Sequence, residues 1–291
     1  MTDNNDLMIE ASDLRRVFKS SEAVKGISLS VRRSEIFGLL GPNGAGKTTT
    51  IRMLTGQIEP SSGHATVAGC DVVRDHQRLK ERIGVVPEEQ NLYERLSARN
   101  NLRFNCWLYN LPESRVDEVL DLVHLRDRAK DPVRTFSNGM KQRLLIARAL
   151  LHKPPMLFLD EPSRGLDPIA AHEVRATIEQ MSRDGVTIML TTHLLEEADQ
   201  LCQRIAFINQ GSILANDTPR NLKFAHGQRT LRVTRCGQEN GSQSEITLSM
   251  DTPADQARLA QLLAQGDVQA IHSQEATLEE VFIEIAGVRP A

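Results

Sequence analysis

The chain has 291 residues, 40% of them hydrophobic and 25% charged, enough for a folded domain with an appendage. A formal net charge of −3 argues against a nucleic-acid partner. Cys70, Cys106, Cys202 and Cys236 are scattered without a C-x-x-C pair, so neither a disulfide framework nor a zinc site is expected.

The N-terminus MTDNNDLM is polar and acidic, unlike a secretory signal. Apolar stretches such as MLFL at 156–159 fall far short of a membrane span. The chain is therefore expected to be soluble and to serve a membrane only through a partner. Strand-like runs occur at 27–31, 36–40, 83–86, 156–160, 186–190 and 205–208, several of them continuously apolar. Helical patterns occupy 47–56, 98–109, 113–124, 138–152, 169–183 and 194–201. This alternation predicts an α/β core with a largely parallel sheet. From about 92 to 151 the pattern is helical and reads as an insertion. Past Gln210-Gly211 the character changes: short alternating segments at 230–235 and 245–250 flank the polar loop GQENGSQSE. A helix at 254–265, a strand at 268–273 and a helix at 277–286 follow. Residues 226–291 are read as a small α+β appendage to a main domain at 7–225. This tail carries five arginines against nine acids, which excludes a basic binding tail.

Chemistry concentrates in a few short stretches. GPNGAGKT at 41–48 follows an apolar strand and opens a helix, the context of a phosphate-binding loop. Gly41, Gly44 and Gly46 let the backbone curl so that its N–H groups face phosphates, and Pro42, Asn43, Ala45 and Thr49 complete the nucleotide-binding stretch. Lys47 would reach the β- and γ-phosphates, and Thr48 would offer a hydroxyl to Mg²⁺. MLFLDEP at 156–162 ends a strand with two carboxylates: Asp160 as a Mg²⁺ ligand and Glu161 as the group that polarises water. FSNGM at 136–140 opens a second helix, with Lys141 and Arg143 close behind, as if for another anion. One domain thus offers two phosphate-binding helix starts, and one nucleotide needs only the first.

The phosphate loop, FSNGM, MLFLDE, GLD at 165–167 and TTH at 191–193 fall in the order found in ABC-type ATPase domains. The chain resembles that family over roughly residues 7–225, with the fold of a P-loop NTPase. The resemblance accounts for the second helix start. In the family, two domains pack head to tail around two ATP molecules, so Ser137 and Gly139 would face nucleotide held by a second copy. It further implies that Phe18 stacks on adenine, where an ordinary core phenylalanine is the alternative. His193 would contact the γ-phosphate, and Asp167 would cross the dimer interface. The family has Gln after the proline of VVPEEQ as a metal and water ligand. Here that residue is Glu88, with Gln90 as the rival if the loop is shifted. Asn138 and Met140 also depart from the common signature.

TLEEVFIEIAG at 277–287 resembles the close of ATPase subunits of ABC-2 type exporters, although Leu278, Val281, Phe282 and Ile285 equally describe an amphipathic helix. The resemblance implies an ATP- and Mg²⁺-dependent homodimer beneath a separate integral-membrane permease, cytoplasmic and peripheral on the inner face of the membrane. The cluster of Leu92, Tyr93, Phe104, Trp107, Leu108 and Tyr109 within 92–111 is the expected dock for the permease, with a partly buried helical core as the alternative. A soluble non-transport ABC ATPase and an importer subunit remain the alternatives. Ribosome-acting relatives usually carry two ATPase domains in one chain. DNA-repair relatives need a long coiled coil between phosphate loop and signature, where this chain has about ninety residues.

Overall fold

Five-residue runs such as IFGLL and MLFLD have no polar face, so they are stable only in a sheet covered on both sides. The computed structural model describes residues 6–227, 230–236, 243–266, 268–274 and 276–287, and it divides into two units, Met1–Asn216 and Asp217–Ala291.

The first unit begins with β1 (Leu7–Phe18) and β2 (Ser21–Arg32), an antiparallel pair, and continues into β3 (Ile36–Leu40), whose residues are all buried. α1 (Lys47–Leu54) follows, then β4 (Ser62–Val67), β5 (Cys70–Asp71), α2 (His76–Arg82) and β6 (Ile83–Val86). The helical stretch holds α3 (Ala98–Leu108), α4 (Ser114–Leu122) and α5 (Asn138–Ala149). The alternation resumes with β7 (Met156–Asp160), α6 (Pro168–Arg183), β8 (Thr187–Thr192), α7 (Leu195–Leu201), β9 (Arg204–Asn209) and β10 (Ser212–Asp217).

Two sheets result. Six strands run in the order β10-β9-β3-β8-β7-β6, and the pairs β9–β3, β3–β8, β8–β7 and β7–β6 are parallel. The other sheet, β2-β1-β4-β5, is antiparallel. The expected strand at 27–31 therefore belongs not to the parallel sheet but to the second one, most of which the apolar runs did not reveal. Phe37, Leu39, Phe158, Met189 and Ala206 from one sheet share a core with Ile9, Leu14, Ile27 and Val67 from the other.

In the second unit, α8 (Pro219–His226) precedes β11 (Thr230–Cys236) and β12 (Gln243–Ser249), then α9 (Pro253–Gln265), β13 (Val268–Gln274) and α10 (Leu278–Ala286). The antiparallel order is β12-β11-β13, over a core of Val233, Leu248 and Leu262. Residues 237–242 of the expected polar loop lie outside the described residues. The unit starts after Asn216, earlier than the expected 225, because α8 packs with α10 and so joins the appendage. Thr277 and Glu280 form a reciprocal cap at the start of α10.

Candidate active site

Parallel pairing sets the carboxyl ends of β3, β8, β7 and β6 side by side, and a functional loop leaves each of them. Ligands of open α/β sheets bind beyond such ends. After β3 the chain enters GPNGAGKT. Gly46 caps α1 with φ 108, and a Cβ there would come within 2.8 Å of the Ala23 carbonyl oxygen. No side-chain hydrogen bond closes this helix start, which leaves its dipole to an anion. Lys47 folds back over the loop. Its Nζ donates to the Gly41 carbonyl oxygen at 2.6 Å and lies 3.0 Å from Glu161 Oε1, with both side chains buried.

β7 delivers Asp160 and Glu161. Glu161 has φ 52, a left-handed conformation that costs roughly 1–2 kcal/mol for a residue with a side chain. Thr191 on β8 holds the kink: its carbonyl accepts from Glu161 N at 3.0 Å, and its hydroxyl donates to Asp160. The kink turns the Glu161 carboxylate between two partners. One oxygen faces Lys47, and the other lies 2.7 Å from Nδ1 of His193, which follows β8.

A cavity of about 400 Å³ is lined by residues 42–49 with Ala23, Glu88, Glu161 and Arg164. A second, of about 250 Å³, shares Thr48 and Glu88 with it and adds Asp160. A phosphate chain fits the first: a backbone cradle, an uncapped helix start and a buried ammonium converge there. The hydroxyl and carboxylates around the second suit a hard divalent cation. Among the described residues no group of three His, Cys, Asp or Glu side chains is arranged to hold a metal ion. Mg²⁺ would then rely on phosphate oxygens and water for the rest of its shell, as it commonly does. Glu88 borders both cavities and pairs with Arg164, whereas Gln90 is exposed and borders neither.

The remaining expected residues lie elsewhere: Ser137, Gly139, Asp167 and Phe18 line neither cavity. Ser137 is the exposed N-cap of α5, its hydroxyl accepting from Met140 N at 3.2 Å. Gly139 is buried against α6, where a Cβ would meet that of Ala170 at 2.6 Å. Arg143 and Glu173, 3.2 Å apart, tie the same two helices. Asp167 caps α6, accepting from Ile169 N at 3.1 Å and Ala170 N at 3.0 Å. Phe18 ends β1, 42% exposed, with the Arg16 guanidinium 4.6 Å from its ring centre.

Two polar residues at this edge carry no signal in the sequence. Arg164 sits between the DE pair and GLD, and nothing local marks it. Glu197 on α7 looks like any helical glutamate, yet it is buried and receives the Ser163 hydroxyl. Burial raises its pKa, opposed by hydrogen bonds from Ser163 and Thr192.

The family model described as ABC transporter matches residues 24–164. The linearmycin resistance ATP-binding protein of Bacillus subtilis (strain 168) is 36% identical, over 96% of this chain and 98% of that protein. A fluoroquinolones export ATP-binding protein of Mycobacterium tuberculosis is 42% identical, over 91% of this chain and 88% of its own length. Among solved structures, cbiO1 from Clostridium perfringens, part of the ABC transporter complex cbiONQ, is similar with a TM-score of 0.70. It is 28% identical and the match covers 76% of this chain and 91% of that one. Relatives matched nearly end to end carry the assignment to which the loop geometry pointed: the chain belongs to the ABC transporter family, as an ATP-binding, ATP-hydrolysing subunit.

Proposed function

We propose that the chain powers an exporter, hydrolysing ATP as a head-to-tail homodimer beneath a separate ABC-2 type permease on the inner face of the membrane. Export is supported by the relatives, which are named for drug export and drug resistance. A separate permease is supported by the same relatives, which are named ATP-binding proteins and are matched over 98% and 88% of their own length. The docking surface is the exposed set Tyr93, Phe104, Trp107, Leu108 and Tyr109 on and beside α3. A soluble domain rarely leaves so many large apolar side chains in one place without a partner. Residues 217–291 serve as an accessory domain, and 92–151 as the helical subdomain.

One observation carries the dimer reading. The cavity that would hold the phosphates is lined by none of Ser137, Gly139 and Asp167, and Ser137 and Asp167 stand exposed at the starts of α5 and α6. A second copy facing this one would bring those helix starts to the open cavity. In that arrangement Lys47 leaves Glu161 for the β- and γ-phosphates. Glu161 is then free to orient the attacking water and take its proton, and His193 holds the carboxylate in place. Thr48, Asp160 and Glu88 would hold Mg²⁺, whose charge offsets that of the phosphates. Phe18 lies open to stack on the adenine.

Glu161→Gln tests the scheme. ATP binding should persist while hydrolysis slows by about 10²–10⁴-fold, the usual scale for losing a general base. The uncleaved γ-phosphate should accumulate the dimer on gel filtration in ATP. Only monomer at saturating ATP would contradict the sandwich.

A further inference from the structure

Glu88 poses a charge problem. It stands where ABC-type ATPases carry a neutral glutamine, and it adds a carboxylate beside Asp160 and Glu161 at the edge of a cavity fit for an anion. Lys47 cannot answer for it, being 3.0 Å from Glu161. The other cation lining the cavity is Arg164, and its guanidinium pairs with Glu88. The Arg164 backbone is fixed as well: its N–H donates to the Glu161 carbonyl oxygen at 3.2 Å. The side chain thus reaches from the turn after β7 to the loop after β6, the neighbouring parallel strand.

We propose that Arg164 is the positioning residue for Glu88. Its guanidinium cancels the added negative charge and holds the carboxylate where the two cavities meet. The phosphate cavity can then accept an anionic nucleotide although two carboxylates, Glu88 and Glu161, line it. This rests on reading the cavity as the nucleotide site. Without Arg164, Glu88 would face incoming phosphates as a bare carboxylate. The repulsion would be largest when no divalent cation shares the site, and it would disappear once position 88 is neutral. The pair is partly exposed, with 54% of the Arg164 side chain and 32% of the Glu88 side chain accessible, so solvent weakens it.

The test is an equilibrium titration of ATP in EDTA, read by a fluorescent nucleotide analogue and not by turnover. Arg164→Gln should weaken metal-free binding by about three- to fivefold, the scale of an exposed pair. The deficit should shrink at saturating Mg²⁺. Adding Glu88→Gln to Arg164→Gln should restore wild-type affinity, which loss of a merely structural contact would not allow. Unchanged affinity in Arg164→Gln, or a deficit that persists undiminished when Glu88→Gln is added, overturns the proposal. Lys47→Ala in the same titration separates the two levels of failure. If it binds like wild type, the cavity is not the nucleotide site. If it loses binding while the Arg164 variants do not respond, the role of Arg164 alone falls.

Discussion

At the start of α1 a left-handed glycine is the cap, no side chain closes the helix end, and a buried lysine sits within the turn. At the start of α5 a serine hydroxyl accepts from Met140 N, and the nearby cations are paired with other groups. Lys141 pairs with Glu94 at 2.6 Å, while Arg143 donates to the Val123 carbonyl oxygen at 3.0 Å and pairs with Glu173. Lys141 and Arg143, which the sequence suggested as anion ligands, are committed to the fold. In the proposed scheme, where Lys47 exchanges Glu161 for phosphate, the first helix start is a complete anion site in one chain. The second offers a hydroxyl and a helix dipole worth about 0.3–2 kcal/mol. In the proposed dimer that is too little to hold a nucleotide and enough to make closure depend on one.

The substitution with the largest expected effect is Lys47→Ala. It removes the cation of the complete site, so nucleotide binding and hydrolysis should both fall to background in titration and phosphate-release assays. Wild-type turnover would erase the distinction between the two helix starts. Ser137→Arg should also stop turnover, since it blocks the exposed start, yet leave the ATP affinity of the monomer close to normal. A large affinity loss in that variant would place Ser137 in its own chain's site.

Smaller effects sharpen the same contrast. Gly46→Ala forces a side chain into φ 108 and against the Ala23 carbonyl. It should cost about 1–3 kcal/mol in unfolding experiments, the scale of a residue held in a disfavoured conformation. Ser137→Ala removes a helix cap and should cost about 1 kcal/mol. A thermal midpoint that moves more for Ser137→Ala than for Gly46→Ala would invert the ranking of backbone strain over capping.

The parts of the molecule legible in the sequence are those whose signal is local. β3 and β7 are buried at every position, so their apolar runs announce them. GPNGAGKT and MLFLDE carry their chemistry within eight residues or fewer, and the structure brings Lys47 and Glu161 together. β1 is hidden because its alternation is broken: Asp13 adopts φ 46 and the pairing register shifts between Ala11 and Leu14. α2 is hidden because HQRLKER buries a single residue, Leu79. Arg164 escapes for a different reason. Its importance lies in a partner on another loop, and one sequence does not report pairings between distant positions.

The contact at Gly139 has a mechanical consequence. With Ala170 so close and Arg143 bound to Glu173, α5 and α6 cannot slide past one another without a clash or a broken ion pair. Ser137 and Asp167, at the starts of these two helices, are therefore fixed in spacing like the pins of a plug. In the proposed head-to-tail dimer a facing surface would meet both pins together, so that two weak contacts would form as one engagement. Gly139 spends its missing side chain on keeping that spacing, and a methyl group there would bend both pins together.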